Sequence, residues 1–460
     1  LDISNEEFLA GGDLQFRGTS EAAVINLGTI SAFDGSIFLL GAQVENAGSL
    51  EARNGTVGLA AGNDILLRES GEERIYVRGA SGRQKEKGVV NSGAIEANVA
   101  ELKSYGGNVY GMAVENKGRV AATGIVRQGG QLFLSTGGGR VRSTGTLQAR
   151  RGTAQQAPSI EVDAGETGRT EIGGTVDAAG SDGEIGGSIV ILGEQIDLLE
   201  GSLVIADGDT GGGRILVGGG RQGLDPDFNN ATNIMVGRDA VLDVSARTRG
   251  NGGEVIVFAE NDLAFDGKLL SRGGSESGDG GFAELSGKNT VRFPGFVRSA
   301  DLSAANGKSG LLLFDPTNLD VVEGNPTPGQ EISGSPVNGE ETLFDQDIAS
   351  FLQNNGSLEI TTDSLNNDSG NITFDPGISI TWTSDNNLSF IADNNIIMRT
   401  VGTIQTDGAG SVSFLADGGR IEIEEGSRIE TDSGDISLRS VDGSGSAGIL
   451  LFDEVDIVSS

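Results

Sequence analysis

The 460-residue chain contains no cysteine and no histidine. No disulfide framework and no thiolate zinc site can form. The commonest transition-metal ligand and acid–base side chain is also missing, and with it every Ser–His nucleophile pair. Proline is scarce at 8 residues, and there is 1 tryptophan. No stretch approaches the ~20 apolar residues of a membrane helix. The opening Leu1-Asp2-Ile3-Ser4-Asn5 lacks the basic and apolar regions of a signal peptide. Basic residues number 32 against 66 acidic ones, a formal charge of -34. Nucleic acid is excluded as a partner, because phosphate binding needs clustered Lys and Arg. Anionic membrane surfaces would be repelled.

Glycine, by contrast, is abundant at 76 residues, and it falls at fixed places. Asn26-Leu27-Gly28-Thr29-Ile30-Ser31-Ala32 returns as Asn46-Ala47-Gly48-Ser49-Leu50-Glu51-Ala52. It returns again at Asn91-Ser92-Gly93-Ala94-Ile95-Glu96-Ala97 and at Asn116-Lys117-Gly118-Arg119-Val120-Ala121-Ala122, with a looser copy at Ser143-Thr144-Gly145-Thr146-Leu147-Gln148-Ala149. Apolar runs such as Ser36-Ile37-Phe38-Leu39-Leu40 lie between copies. A repeat of this kind predicts a solenoid of stacked parallel strands, an elongated rod of roughly 20 coils. The Asn of each phrase is expected at a corner, where it tolerates left-handed backbone angles and can bond neighbouring backbone groups, and the Gly two residues on is expected to permit the bend.

The pattern divides the chain into four zones. Residues 1–150 carry the Asn-x-Gly phrase. Residues 151–320 use Gly-Gly turns instead, as in Gly250-Asn251-Gly252-Gly253 and Gly278-Asp279-Gly280-Gly281. Residues 321–356 read as a loop and a short helix. Three of the prolines fall within 325–340, and Glu341 to Gln353 has helical spacing, stopped by Asn354-Asn355-Gly356. Residues 357–460 resume the strands in an acidic variant. From 341 to 460 there are 21 acidic residues and 4 Arg, which accounts for -17 of the net charge.

Few residues suggest chemistry. Glu422 and Glu424 share a strand face and stand near Glu425; Asp453, Glu454 and Asp456 form a second acidic group. Their expected role is a solvated outer face. Gly278 to Leu285 approximates one copy of a calcium-binding nonapeptide, for which turn geometry is the better explanation. Loose Ca2+ binding along the acidic zone is the one cofactor expectation. Trp382 and Phe374 could stack a sugar ring or cap a core layer. Asn-x-Ser/Thr at Asn54, Asn230, Asn355, Asn371 and Asn387 is expected to mark corners rather than glycosylation. The triplets Gly137-Gly138-Gly139 and Gly218-Gly219-Gly220 lack the Lys-Ser/Thr of a phosphate loop. No catalytic, cofactor-binding or metal-ligating residue is assigned.

Phe8-Leu9-Ala10-Gly11-Gly12, the Asn26 phrase with its following apolar run, and Asn54-Gly55-Thr56-Val57-Gly58-Leu59-Ala60-Ala61-Gly62 resemble the filamentous haemagglutinin family. Leu311-Leu312-Leu313-Phe314-Asp315-Pro316-Thr317-Asn318 and Asn355-Gly356-Ser357-Leu358-Glu359-Ile360-Thr361-Thr362 follow in the family's order. These are two-partner-secretion exoproteins of Gram-negative bacteria. The resemblance implies an all-β chain folded as a right-handed parallel β-helix. It implies export through an outer-membrane β-barrel transporter and a non-enzymatic, adhesin-like role, secreted or at the cell surface. The family's Asn-Pro-Asn-Gly and Asn-Pro-Asn-Leu motifs are absent, so transporter contact is expected of a region upstream of Leu1. The host, neighbouring-cell or matrix receptor is not identified. Homotypic filament assembly, a β-helical polysaccharide-binding or -cleaving protein, and the stalk of a contact-dependent toxin are the rival readings.

Overall fold

The computed structural model describes residues 1–71, 73–78, 87–105, 112–125, 129–293, 299–324, 340–362, 370–441 and 448–459. The proline-rich loop expected at 325–340 lies almost wholly outside the described residues. The regular structure is almost entirely β, and the chain winds a parallel β-solenoid of about 12 turns, fewer than the roughly 20 coils expected. It divides into two compact units. One comprises residues 1–220 and 224–244; the other comprises 221–223 and 245–460.

In the first unit the repeated phrases stack in register. Ser49 pairs with Thr29, Ala94 with Ser49, Arg119 with Ala94, and Thr146 with Arg119. Alternation sends Leu50, Ile95, Val120 and Leu147 inward, each fully buried. The Asn of the phrase bonds neighbouring backbone groups as expected, Asn26 Nδ2 to Gly28 O at 3.1 Å and Asn91 Nδ2 to Gly93 O at 3.4 Å, but it does so without left-handed angles. Positive φ is absent from all four of these asparagines. Asn46, Asn91 and Asn116 are buried, and each donates its side-chain amide to the next residue of the column. Asn26 Nδ2 reaches Asn46 Oδ1 at 2.8 Å, Asn46 reaches Asn91 at 2.8 Å, and Asn91 reaches Asn116 at 2.9 Å. Asn116 ends the ladder on Ser143 Oγ at 3.1 Å. The column then turns apolar, through Ile172, Leu198 and Val236. Each amide both donates and accepts, so burial leaves it satisfied.

The glycine of the phrase has a different reason from the one expected. Gly48, Gly93, Gly118 and Gly145 do not need positive φ. A Cβ on Gly93 would stand 2.0 Å from Gly48 O, and the same clash repeats up the column. Close approach of stacked backbones excludes a side chain there.

The ladder steps are 20, 45, 25 and 27 residues. The 45-residue step contains an excursion. Strands Asp64–Leu67 and Ile75–Arg78 form an antiparallel hairpin that also pairs with Leu14–Arg17. The opening residues therefore join this side sheet rather than continuing the repeat. Helix Asn5–Ala10 precedes it, closed by a capping box in which Glu7 N donates to Ser4 Oγ and Ser4 N to Glu7 Oε2. That Ser-x-x-Glu signal stands in the sequence.

In the second unit an inward column runs Val257, Leu285, Phe314, Ile360, Phe390, Phe414 and Leu438. Phe374 packs edge-on to Phe390 with ring centroids at 4.9 Å and is stacked on Phe414 at 5.7 Å. The interior here is wide enough for aromatic rings. The helical insertion is Asp345–Asn354, beginning later than expected. Glu340–Phe344 is instead a strand, parallel to Asn318–Val322. Asp345 fixes the change of direction. Its carboxylate accepts from Gly324 N, Gln346 N and Ser379 N at 3.0, 2.7 and 2.7 Å. Ile348, Phe351 and Leu352 then bury the helix face.

Candidate functional site

Outward-facing side chains on a solenoid normally meet solvent. In the first unit the hairpin overturns that rule. Glu101 and Lys103 point outward from Ala94–Ser104, yet both are buried, Glu101 completely. Glu101 accepts Arg74 N and Ile75 N on its two oxygens, each at 2.9 Å. Lys103 Nζ lies 3.5 Å from Glu101 Oε2 and is paired with Glu73. Its ammonium also faces the rings of Tyr76 and Phe133, 5.5 and 5.7 Å from their centroids. Burial pushes the Glu101 carboxyl up, opposed by Lys103 and the two amides.

Glu161 and Asp163 continue the outward columns of Glu101 and Lys103 two coils on, beyond Phe133 and Ser135, and lie two residues apart on Ser159–Asp163. Both are half-buried, and both are raised, first by burial and then by neighbouring carboxylates. A second face carries a ladder of ion pairs. Arg169 reaches Asp197 at 2.6 Å and Glu171 at 3.3 Å, and Glu171 also pairs with Arg140. Burial raises Asp197 despite Arg169. Asp177 goes the other way: burial opposes it, but Arg150 and the Ala179 amide hold it below the usual range.

In the second unit, Glu284 is fully buried on the outward face of Phe282–Gly287. The turn Arg221–Gly223 covers it. Glu284 Oε1 accepts Gln222 N at 2.8 Å and Ser286 Oγ at 2.9 Å. Oε2 is buried with no hydrogen-bond partner among the described residues. Burial pushes this carboxyl up to about 7.

The residues singled out from the sequence lie elsewhere. Glu422 pairs with Arg420 at 2.7 Å and Glu424 with Arg399 at 3.6 Å, while Glu425 is exposed. Asp456 pairs with Arg428 at 3.3 Å; Asp453 and Glu454 are exposed. Trp382 is buried, and its Nε1 donates to Asn386 O at 2.9 Å. With Phe374 in the aromatic stack, neither ring presents a face to a sugar. Asp279 spends its carboxylate on Lys308 N at 2.8 Å, and its own amide donates to Asn251 Oδ1, stitching successive turns. Among the described residues no group of three or more carboxylates is placed to hold a metal ion. Asn371 and Asn387 accept backbone amides of the next coil, Asn395 N at 3.0 Å and Ser411 N at 2.8 Å.

Glu101, Lys103, Glu161, Asp163 and Glu284 did not stand out in the sequence. The doubled step between Asn46 and Asn91 is the signal that a segment leaves the coil and covers an outer face. Glycoside cleavage needs a raised acid and a second carboxylate flanking an open cleft. Glu101 and Glu284 are raised but covered. Glu161 and Asp163 are accessible but lie side by side on one strand.

No protein-family model matches the chain, and no curated protein matches it. Among solved structures, it is similar to the HMW1 secretion domain from Haemophilus influenzae, at 22% identity and a TM-score of 0.44. The match covers 68% of this chain and 72% of that one. Among the described residues no helix is long and apolar enough to cross a membrane.

Proposed function

We propose that the chain is a shaft segment of a non-enzymatic exoprotein of the filamentous haemagglutinin kind. It is exported by two-partner secretion and acts outside a Gram-negative cell, as an adhesin-like fibre. The observation that carries this reading is the role of the repeated phrase. The repeated Asn-x-Gly phrase, one part of what carries the family resemblance, supplies the amide ladder, the glycine contacts and the core rungs of a parallel solenoid. They build a scaffold and leave its outer faces free to vary. Several outward carboxylates support the same reading, because they are committed to arginines or to backbone amides.

The direct test is incubation of the purified chain with a panel of acidic and neutral polysaccharides. Binding without new reducing or unsaturated ends is the expected result where sugars bind at all. Stoichiometric cleavage that Glu161→Gln or Asp163→Asn abolishes would replace the reading with an enzymatic one.

A further inference from the structure

Glu284 and Glu101 share one architecture and differ in one detail. Each projects from the outer face of a coil and receives backbone amides from a segment outside the coil. Glu101 uses both oxygens, one amide to each, with Lys103 beside them. That is the bonding of an ionised carboxylate. Glu284 uses only one. Its Oε1 takes two donors, as a carbonyl oxygen does, and its Oε2 takes none. An ionised carboxylate would carry charge on both oxygens and leave half of it bare in an apolar setting. The neighbours across the sheet are Ile256 and Leu313, both buried.

We infer that Glu284 is a proton-dependent latch: with its proton it holds the Arg221–Gly223 turn shut on the sheet, and on losing it releases the turn. The proton sits on Oε2 and leaves to water. The charge then spreads to Oε2, which can gain partners only if the turn lifts and water enters. The charged groups around it set the balance. Arg221 favours ionisation, but its guanidinium lies 4.1 Å from the centre of the Phe282 ring. Asp315, on the same face beyond Leu313, opposes ionisation. Glu254 stands opposite Phe282 and adds a third negative group to this face. The turn is itself poised to spring. Gln222 sits at φ 53 and ψ 22, a left-handed conformation that costs a non-glycine residue energy and persists only while its surroundings enforce it.

Backbone amide exchange of the intact chain between pH 5.5 and 8.5, corrected for intrinsic base catalysis, reads the latch at Gln222. Protection should fall on the order of tenfold across pH 7. In Glu284→Gln, which keeps the acceptor but cannot ionise, protection should stay flat. Trypsin gives a reading that needs no variant. Cleavage after Arg221, relative to cleavage after the exposed loop residue Arg247, should rise over the same range. Equal pH profiles for the two proteins, or a constant Arg221-to-Arg247 ratio, would overturn the latch.

Discussion

Asn46 donates from Nδ2 to Oδ1 of Asn91 at 2.8 Å, across one step of the coil, and both side chains are fully buried. Asn91 passes the same bond to Asn116. Each interior amide thus depends on two neighbours. Asn91→Leu removes a donor and an acceptor together and strands groups on both sides. A buried polar group without a partner costs about 1–3 kcal/mol, so the variant should lose about 3 kcal/mol in equilibrium denaturation. Ser143→Ala, at the end of the ladder, strands one group and should lose about half as much.

The glycine column makes a sharper contrast. A Cβ at Gly93 meets Gly48 O at 2.0 Å, whereas a Cβ at Gly28 meets nothing within 4 Å. Both glycines hold the same place in the same phrase. Gly93→Ala should destabilise by more than about 3 kcal/mol or prevent folding. Gly28→Ala should change stability by less than about 0.5 kcal/mol. Thermal melts followed by circular dichroism distinguish the two.

Much of this was readable in the chain. The period of the phrase announces a solenoid, and its apolar positions are the core rungs. What the Asn does is not readable in the same way. An Asn that caps a turn and one that bonds its copy in the next coil look identical in sequence. Only the register separates them. Glu101 and Glu284 were hidden for a related reason. Alternation places each on an outer face, and burial comes from the hairpin at 64–78 and the turn at 221–223, which fold over them. Glu341–Phe344 has helical spacing, but pairing with Asn318–Val322 makes it a strand and delays the helix to Asp345.

A corner of the second unit carries a correctable strain. Gly377 and Gly426 turn it at φ 83 and φ 72, and Val401 turns the coil between them at φ 61. Val401 is exposed, so its side chain contributes little packing. A β-branched residue in the left-handed region is strained by about 1–2 kcal/mol. Val401→Gly should therefore raise stability by about 0.5–1 kcal/mol, after the larger entropy of the unfolded chain is allowed for. Urea denaturation at constant m-value checks it.

Glu284 ties stability to pH. Its carboxyl is raised to about 7 in the folded chain, against 4.5 without the fold. The folded state holds the extra proton between those values, so stability falls as pH rises from about 4.5 and levels off above about 7. The full span is about 3 kcal/mol. Glu284→Gln should be nearly independent of this group's titration and more stable than the native chain at pH 8. Denaturation at pH 5, 6, 7 and 8 for both proteins gives the comparison.

The proposed function is tested most directly by export. The gene would be expressed in a Gram-negative host with and without a two-partner-secretion outer-membrane β-barrel transporter, and the chain would be sought outside the cell by antibody labelling of intact cells and in the medium. The proposal predicts a folded, protease-resistant chain outside the cell only when the transporter is present. Equal amounts outside with and without it, or retention inside the cell in both cases, would contradict the proposal.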